Sequence, residues 1–331
     1  MYETKDGQAT HLAPSARGRV LQVGPLLPSL EETLREQYEV ERLPRDAGKE
    51  KFLTEHGPSF AAVVTTARVG VDVDLLRALP GIGAIIHFGV GYDSTDVVAA
   101  HARGVVVSNT PDVLTECVAD LAVGALIDIM RRLSAADRFV RRGEWQQGAF
   151  PLTARVHGKR VGILGLGRIG RAVARRLQGF DMEVLYHNRH EVEGVDYSYV
   201  DSPKSLASAC DALVVTTAGG EGTRGLVSAS VLEALGPRGY LVNVSRGTVI
   251  DQQALVEAVL RGKIAGAALD VFVDEPNVPS ELLDRDDVLL LPHIASATHE
   301  TRQAMAQLVL SNLDQFMSDG TLVTPVPRQG A

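Results

Sequence analysis

A chain of 331 residues with 45% apolar and 22% charged side chains has the balance of a folded protein of about two ordinary domains. Its net charge of −8 argues against a nucleic-acid partner, which favours a basic face. Cys117 and Cys210 lie in apolar runs and form neither a disulfide framework nor a metal-ligand spacing, and the most apolar window, 118–130, is broken by Asp120 and Asp128, so a cytoplasmic protein with no metal and no membrane span is expected.

Residues 1–18 lack the apolar core of a signal peptide and have the character of a polar leader. From Arg19, short apolar runs alternate with helix-like patterns. Strands are expected at 20–23, 61–65, 84–88 and 105–108, with a weaker one at 38–42, and helices at 29–37, 50–56, 73–79 and 95–103. Alternation of this length builds βαβ units around a parallel sheet. This first block carries no phosphate fingerprint. Residues 116–132 hold the longest helical pattern of the first half, and a charged stretch then runs to Trp145. That is long for a connection inside one domain and suits a link between domains or subunits.

Beyond the link, an apolar run at 161–164 ends at Gly165, and Gly165, Gly167 and Gly170 fall as G-x-G-x-x-G where the helical pattern of Ile169, Val173, Ala174 and Leu177 begins. At a strand–helix junction this spacing fits a dinucleotide. The first glycine makes the tight turn, the second admits a pyrophosphate, and the third lets helix and strand pack closely. The phosphates then meet the free N–H groups around Arg168 and Ile169 at the positive end of the helix. Further strands are expected at 183–186, 212–216, 240–244, 265–271 and 288–291, with helices at 202–209, 229–235 and 252–261. Together they make a six-strand doubly wound sheet. Thr217, just past the 212–216 run, joins the cofactor-side candidates, and an amphipathic helix at 300–317 closes the pattern.

The end of the second strand of such a sheet selects the cofactor. An acid placed ~20 residues past the glycines takes the ribose 2′-hydroxyl of NAD. Here the slot holds Asn188, 23 positions after Gly165, followed by Arg189, with no carboxylate before Glu191. A neutral amide beside a guanidinium accepts a 2′-phosphate, and Arg168 is placed to add a second positive charge. NADPH/NADP+ is therefore the expected cofactor, with NADH weaker.

Chemistry in open α/β sheets sits where strands end. Three expected edges present Arg246, Glu275 and His293. Arginine offers a planar fork to a carboxylate and the neighbouring carbonyl; histidine moves a proton near neutrality; a carboxylate beside it stabilises the imidazolium. Each also has a plain alternative: a loop-closing arginine, a solvated acid, a core histidine.

The stretches F-G-V-G-Y-D-S-T-D, N-T-P-D-V-L-T-E-C-V-A-D, G-L-G-R-I-G, L-V-N-V-S-R-G, A-L-D-V-F-V-D-E-P and L-P-H-I-A-S-A-T, in this order across about residues 60–305, resemble the D-2-hydroxyacid dehydrogenase family, most closely its glyoxylate/hydroxypyruvate reductases. The resemblance implies catalytic Arg246, Glu275 and His293, main-chain N–H groups of Val90 and Gly91 holding the substrate carboxylate, and Asp270 against the nicotinamide carboxamide. It implies two doubly wound parallel-sheet domains: a Rossmann domain (108–299) inserted in a smaller flavodoxin-like substrate domain (1–107 and 300–331). It also implies a homodimer built on the helix at 116–132, with a loop to about 150 that brings Trp145 to the partner's substrate site; the plain alternative is a tryptophan filling a core gap. The chain departs from the usual pattern in T-T-A-G-G-E-G-T-R after the strand at 212–216, and in P-H-I-A-S where P-H-x-G-S is more frequent. Phosphite oxidation on the same fold and a nucleotide-sensing regulator are the competing functions; Glu275 stands against a formate enzyme, where the family pattern has glutamine.

Overall fold

The computed structural model describes residues 18–328; the polar leader lies outside the described residues apart from Gly18. The chain divides into two compact units, one running to Pro111 and resuming at Arg302, the other Asp112–Thr301.

In the first unit the strands are β1 (Arg19–Val23), β2 (Glu39–Arg42), β3 (Phe60–Thr66), β4 (Ala84–Phe88) and β5 (Val106–Ser108), alternating with α1 (Pro28–Gln37), α2 (Lys49–His56), α3 (Val73–Ala78) and α4 (Val97–Ala102). All pairings are parallel, in the order β2-β1-β3-β4-β5, which is the flavodoxin-like winding. β4 is buried at every residue, as a parallel strand covered on both faces must be. Asp72 and Asp96 open α3 and α4 by accepting the N–H groups of Leu75 and Ala99, the acceptors that first-turn donors otherwise lack.

The second unit opens with α5 (Thr115–Arg131), whose buried face includes Val118, Ala122, Leu126 and Met130. Its other flank meets α7 (Arg168–Gln178) through ion pairs Glu116–Arg175 and Asp120–Arg176 at 2.8 and 2.7 Å. At Arg132 the backbone turns left-handed (φ 50°) and a separate helix, α6 (Leu133–Arg141), follows at once. This stretch was expected only as a charged connector, because its many charges mask the apolar positions. The strands β6 (Arg160–Leu164), β7 (Glu183–His187), β8 (Ser198–Tyr199), β9 (Ala212–Val215), β10 (Tyr240–Asn243), β11 (Gly266–Leu269) and β12 (Val288–Leu290) enclose α8 (Pro203–Ala209), α9 (Ala229–Leu235), α10 (Gln252–Leu260) and α11 (Ser280–Leu283). The order β12-β11-β10-β9-β6-β7-β8 is that of a Rossmann sheet. It has seven strands, not the expected six; the two-residue β8 is too short to show a periodicity.

The final helix, α12 (His299–Asp319), lies mostly in the first unit. Its Phe316 comes so close to Gly83 that a Cβ there would stand 2.7 Å from the ring. Beyond it the chain runs antiparallel to the end of β5, bridging Pro325 to Ser108, and buries Val326 in the first unit's core.

Candidate active site

The glycine turn has the geometry that its spacing predicts. Gly165 adopts φ 103°, and a Cβ there would stand 2.6 Å from the main chain of Thr217. A Cβ on Gly170 would stand 2.3 Å from the carbonyl oxygen of Gly165, whereas one on Gly167 meets nothing within 4 Å. The first and third glycines are thus forced by close packing, and the second faces open space where a phosphate can approach. The N–H groups of Arg168, Ile169 and Gly170 begin α7 and have no intrahelical acceptor. The residues present fit a dinucleotide.

Asn188 follows β7, and its side-chain oxygen accepts the N–H of Leu166 at 2.6 Å, tying the end of β7 to the glycine turn. Its carbonyl accepts from the Tyr199 hydroxyl, and Val192 is held through both its N–H and carbonyl by the Tyr186 hydroxyl. The segment between these anchors presents Arg189 and His190 to solvent. Arg168 is paired with Asp112 at 2.8 Å, both well exposed, so its charge is partly answered within the chain.

The edge of the same sheet carries the ionisable residues. The Nδ1 of His293 lies 2.8 Å from Oε2 of Glu275, both half-buried, while Oε1 of Glu275 accepts the N–H of Phe272 at 3.2 Å. The pair leaves Nε2 as the ring nitrogen turned away from the carboxylate. His293 has φ 56°, a left-handed conformation that side chains other than glycine seldom adopt outside constrained sites. Asp270 fixes it there. Its two oxygens accept the N–H groups of Ile294 and Ala295 at 2.7 and 2.9 Å. Burial pushes the Asp270 carboxyl above its usual range, against the pull of those two bonds. Expected inside the strand at 265–271, Asp270 lies just past β11, with both oxygens accepting main-chain N–H groups of the histidine loop.

Arg246 follows β10. Gly247 packs on the main chain of Phe272 so tightly that a Cβ would stand 2.0 Å from its carbonyl carbon. This contact seats the arginine loop beside the segment that carries Glu275. Asn243, fully buried, donates to the Arg246 carbonyl at 3.0 Å and accepts from Ser245. Sequence reasoning missed Asn243, although a buried amide at the end of an apolar strand needs partners and was the available signal.

In the first unit, Val90 and Gly91 form the half-buried loop after β4. Among the described residues, neither N–H donates a hydrogen bond. Trp145 sits in a 3-10 turn, 69% exposed, and so does not fill a core gap.

A glycine turn on a Rossmann sheet, with a paired histidine and an arginine at its carboxyl edge, defines a dinucleotide-dependent α/β enzyme. The family model described as "D-isomer specific 2-hydroxyacid dehydrogenase, NAD binding domain" matches residues 123–295. Glyoxylate/hydroxypyruvate reductase A of Arabidopsis thaliana is 44% identical over 93% of this chain and 98% of its own length. The 2-ketogluconate reductase of Gluconobacter oxydans is 38% identical over 94% and 99%. The crystal structure of an NADPH-dependent glyoxylate/hydroxypyruvate reductase from Sinorhizobium meliloti, in complex with NADP and malonate, superposes with a TM-score of 0.89 at 44% identity, covering 94% of this chain and 97% of that one. The chain belongs to the D-isomer specific 2-hydroxyacid dehydrogenase family and is an oxidoreductase with an NAD-binding domain. Among the described residues, no helix is long and apolar enough to cross a membrane.

Proposed function

We propose that this protein reduces small 2-oxo acids, glyoxylate and hydroxypyruvate foremost, to D-2-hydroxy acids with NADPH, as a cytoplasmic homodimer whose first unit binds the substrate. The single observation that carries this reading is the His293–Glu275 pair, 2.8 Å apart, on the same sheet edge as Arg246 and on the same sheet as the glycine turn.

In this reading the main-chain N–H groups of Val90 and Gly91 take the carboxylate, and the Arg246 guanidinium holds the carboxylate and carbonyl oxygens. Bound NADPH supplies the hydride to the carbonyl carbon. His293, protonated and held by Glu275, gives a proton from Nε2 to the carbonyl oxygen, so that the carbonyl becomes an alcohol. Gly165, Gly167 and Gly170 form the turn for the pyrophosphate, with the N–H groups of Arg168 and Ile169. Thr217 lines the nicotinamide side, and Asn188 and Arg189 hold the 2′-phosphate. Asp270 contacts the nicotinamide carboxamide only by keeping its oxygens shared with the loop it clamps.

The dimer is supported by exposed apolar side chains along one stretch: Leu133, Val140, Trp145 and Leu152 are 49, 52, 69 and 102% exposed. Apolar side chains clustered at a surface favour association. The interface assignment includes α5, with Trp145 reaching the partner's substrate. The test follows NADPH absorbance with glyoxylate and hydroxypyruvate, resolves the glycerate formed from hydroxypyruvate on a chiral column, since the glycolate formed from glyoxylate has no stereocentre, and measures mass in solution. Turnover with neither acid, or an L product, sinks the reaction; a fully active monomer sinks the assembly.

A further inference from the structure

The loop assigned to the substrate carboxylate contains two consecutive peptide groups. One joins Gly89 to Val90, the other Val90 to Gly91, and each has its N–H at one end and its carbonyl at the other. Both carbonyls are occupied from behind by the end of β5. The Gly89 oxygen accepts the main-chain N–H of Thr110 at 2.9 Å, and the Val90 oxygen accepts Nδ2 of Asn109 at 2.7 Å. Because a trans peptide points its N–H opposite its carbonyl, this double grip turns the Val90 and Gly91 N–H groups away from β5, side by side.

The grip is itself held by distant chain. The Thr324 hydroxyl donates to the Asn109 carbonyl at 2.6 Å and accepts from Nδ2 of Asn312 at 2.9 Å. Asn312, fully buried in α12, also takes the Thr324 N–H on its oxygen at 3.0 Å and reaches the Leu308 carbonyl at 2.8 Å. Asn312 donates to Thr324, and Thr324 to the main-chain carbonyl of Asn109, whose peptide carries the Thr110 N–H that grips Gly89; this holds the Asn109 backbone in place while its side chain separately donates to Val90. A hydrogen bond received at a carbonyl polarises its peptide group and strengthens the N–H at the other end.

We infer that Asn109 is a positioning residue for substrate-carboxylate recognition, turning and polarising the Val90–Gly91 peptide so that its N–H meets an anion, with Thr324 and Asn312 as its support. This rests on the proposed role of the Val90 and Gly91 amides. Thr110 contributes through its main chain and survives substitution; Asn109 contributes through its side chain and does not. A weakened anion site costs ground-state binding, which appears in KM and leaves kcat nearly alone.

The experiment compares glyoxylate with methylglyoxal, which keeps the carbonyl and lacks the carboxylate, in the full-length protein. Asn109→Ala is expected to raise the glyoxylate KM about tenfold, the usual scale for a hydrogen bond to a charged group. Its kcat stays within about threefold, and the methylglyoxal KM and the NADPH dissociation constant stay at the parent values. Asn109→Asp, of the same shape but without the donor, must raise the glyoxylate KM at least as much; because its charge alone repels an anion, Asn109→Leu, neutral and without the donor, decides the matter if the alanine variant does not fold. Thr324→Val is expected to show a smaller rise that Thr324→Ser restores. An unchanged glyoxylate KM in Asn109→Asp or Asn109→Leu, or an equal rise for both substrates, overturns the inference alone. A parent protein that treats the two substrates alike overturns the carboxylate reading of Val90 and Gly91, and this inference with it.

Discussion

At the carboxyl edge of the five-stranded sheet the candidate groups are main-chain amides, set in place by a frame of neutral side chains. At the same edge of the seven-stranded sheet they are ionisable side chains, seated by glycine contacts and by a buried carboxylate. Both edges obey the rule that open α/β sheets act where their strands end, yet they differ in what a mutation can remove. A side-chain group disappears with one substitution. An amide stays, whatever residue carries it, and fails only when its frame fails.

The largest effect is expected on the side-chain edge. His293→Gln should lower kcat ~10²–10⁴-fold, the usual worth of a positioned general acid, with NADPH affinity nearly intact in a binding titration. Turnover within a few-fold of the parent would remove His293 from the mechanism and erase the contrast. An intermediate effect is expected at the cofactor turn, where side chain and main chain act together. Here kcat/KM should favour NADPH over NADH by at least ~10-fold, from the strength of an arginine–phosphate contact. Asn188→Asp with Arg189→Ala should collapse or reverse this ratio; the aspartate retains an acceptor for the Leu166 N–H, so the turn should survive. Equal use of both cofactors by the unmodified protein would contradict this view of the turn. The smallest effect belongs to the main-chain edge: Val90→Ala leaves both amides in place and should keep kcat and the glyoxylate KM within about threefold. A large rise in KM would show that the side chain, not the backbone, carries that part of the site.

The same contrast explains what could be read from sequence. The glycine turn was legible because packing leaves only glycine at Gly165 and Gly170. Arg246, Glu275 and His293 stand out as candidates in the sequence because few residue types bind carboxylates or move protons, and the structure brings the last two within hydrogen-bond distance. Most strands and helices were found within a residue or two, since their apolar periods are set by burial. Asn109 and Thr324 were not found: neutral polar residues are common at strand ends and turns, and their partners lie far along the chain. Asp270 enters only through the family resemblance, and the bonds it makes to the main chain of Ile294 and Ala295 leave no mark in residue type. The left-handed stop at Arg132 has no glycine or asparagine to announce it, and so α6 went unread.

The first unit is discontinuous: the Tyr38 hydroxyl meets the Asp314 carboxylate 276 residues later, and the Thr324 hydroxyl meets Asn109 across 215. Contacts of such separation carry the highest loop-closure cost and form slowly. During synthesis from the N-terminus, all of Asp112–Thr301 emerges from the ribosome before α12 and Val326 are available to close the earlier sheet. The inserted unit has every piece of its own core in hand at that moment, while the flanking one waits with α12 and Val326 still missing. The nascent chain is therefore expected to acquire the inserted half first, with apolar surface on the flanking half exposed until α12 and Val326 arrive.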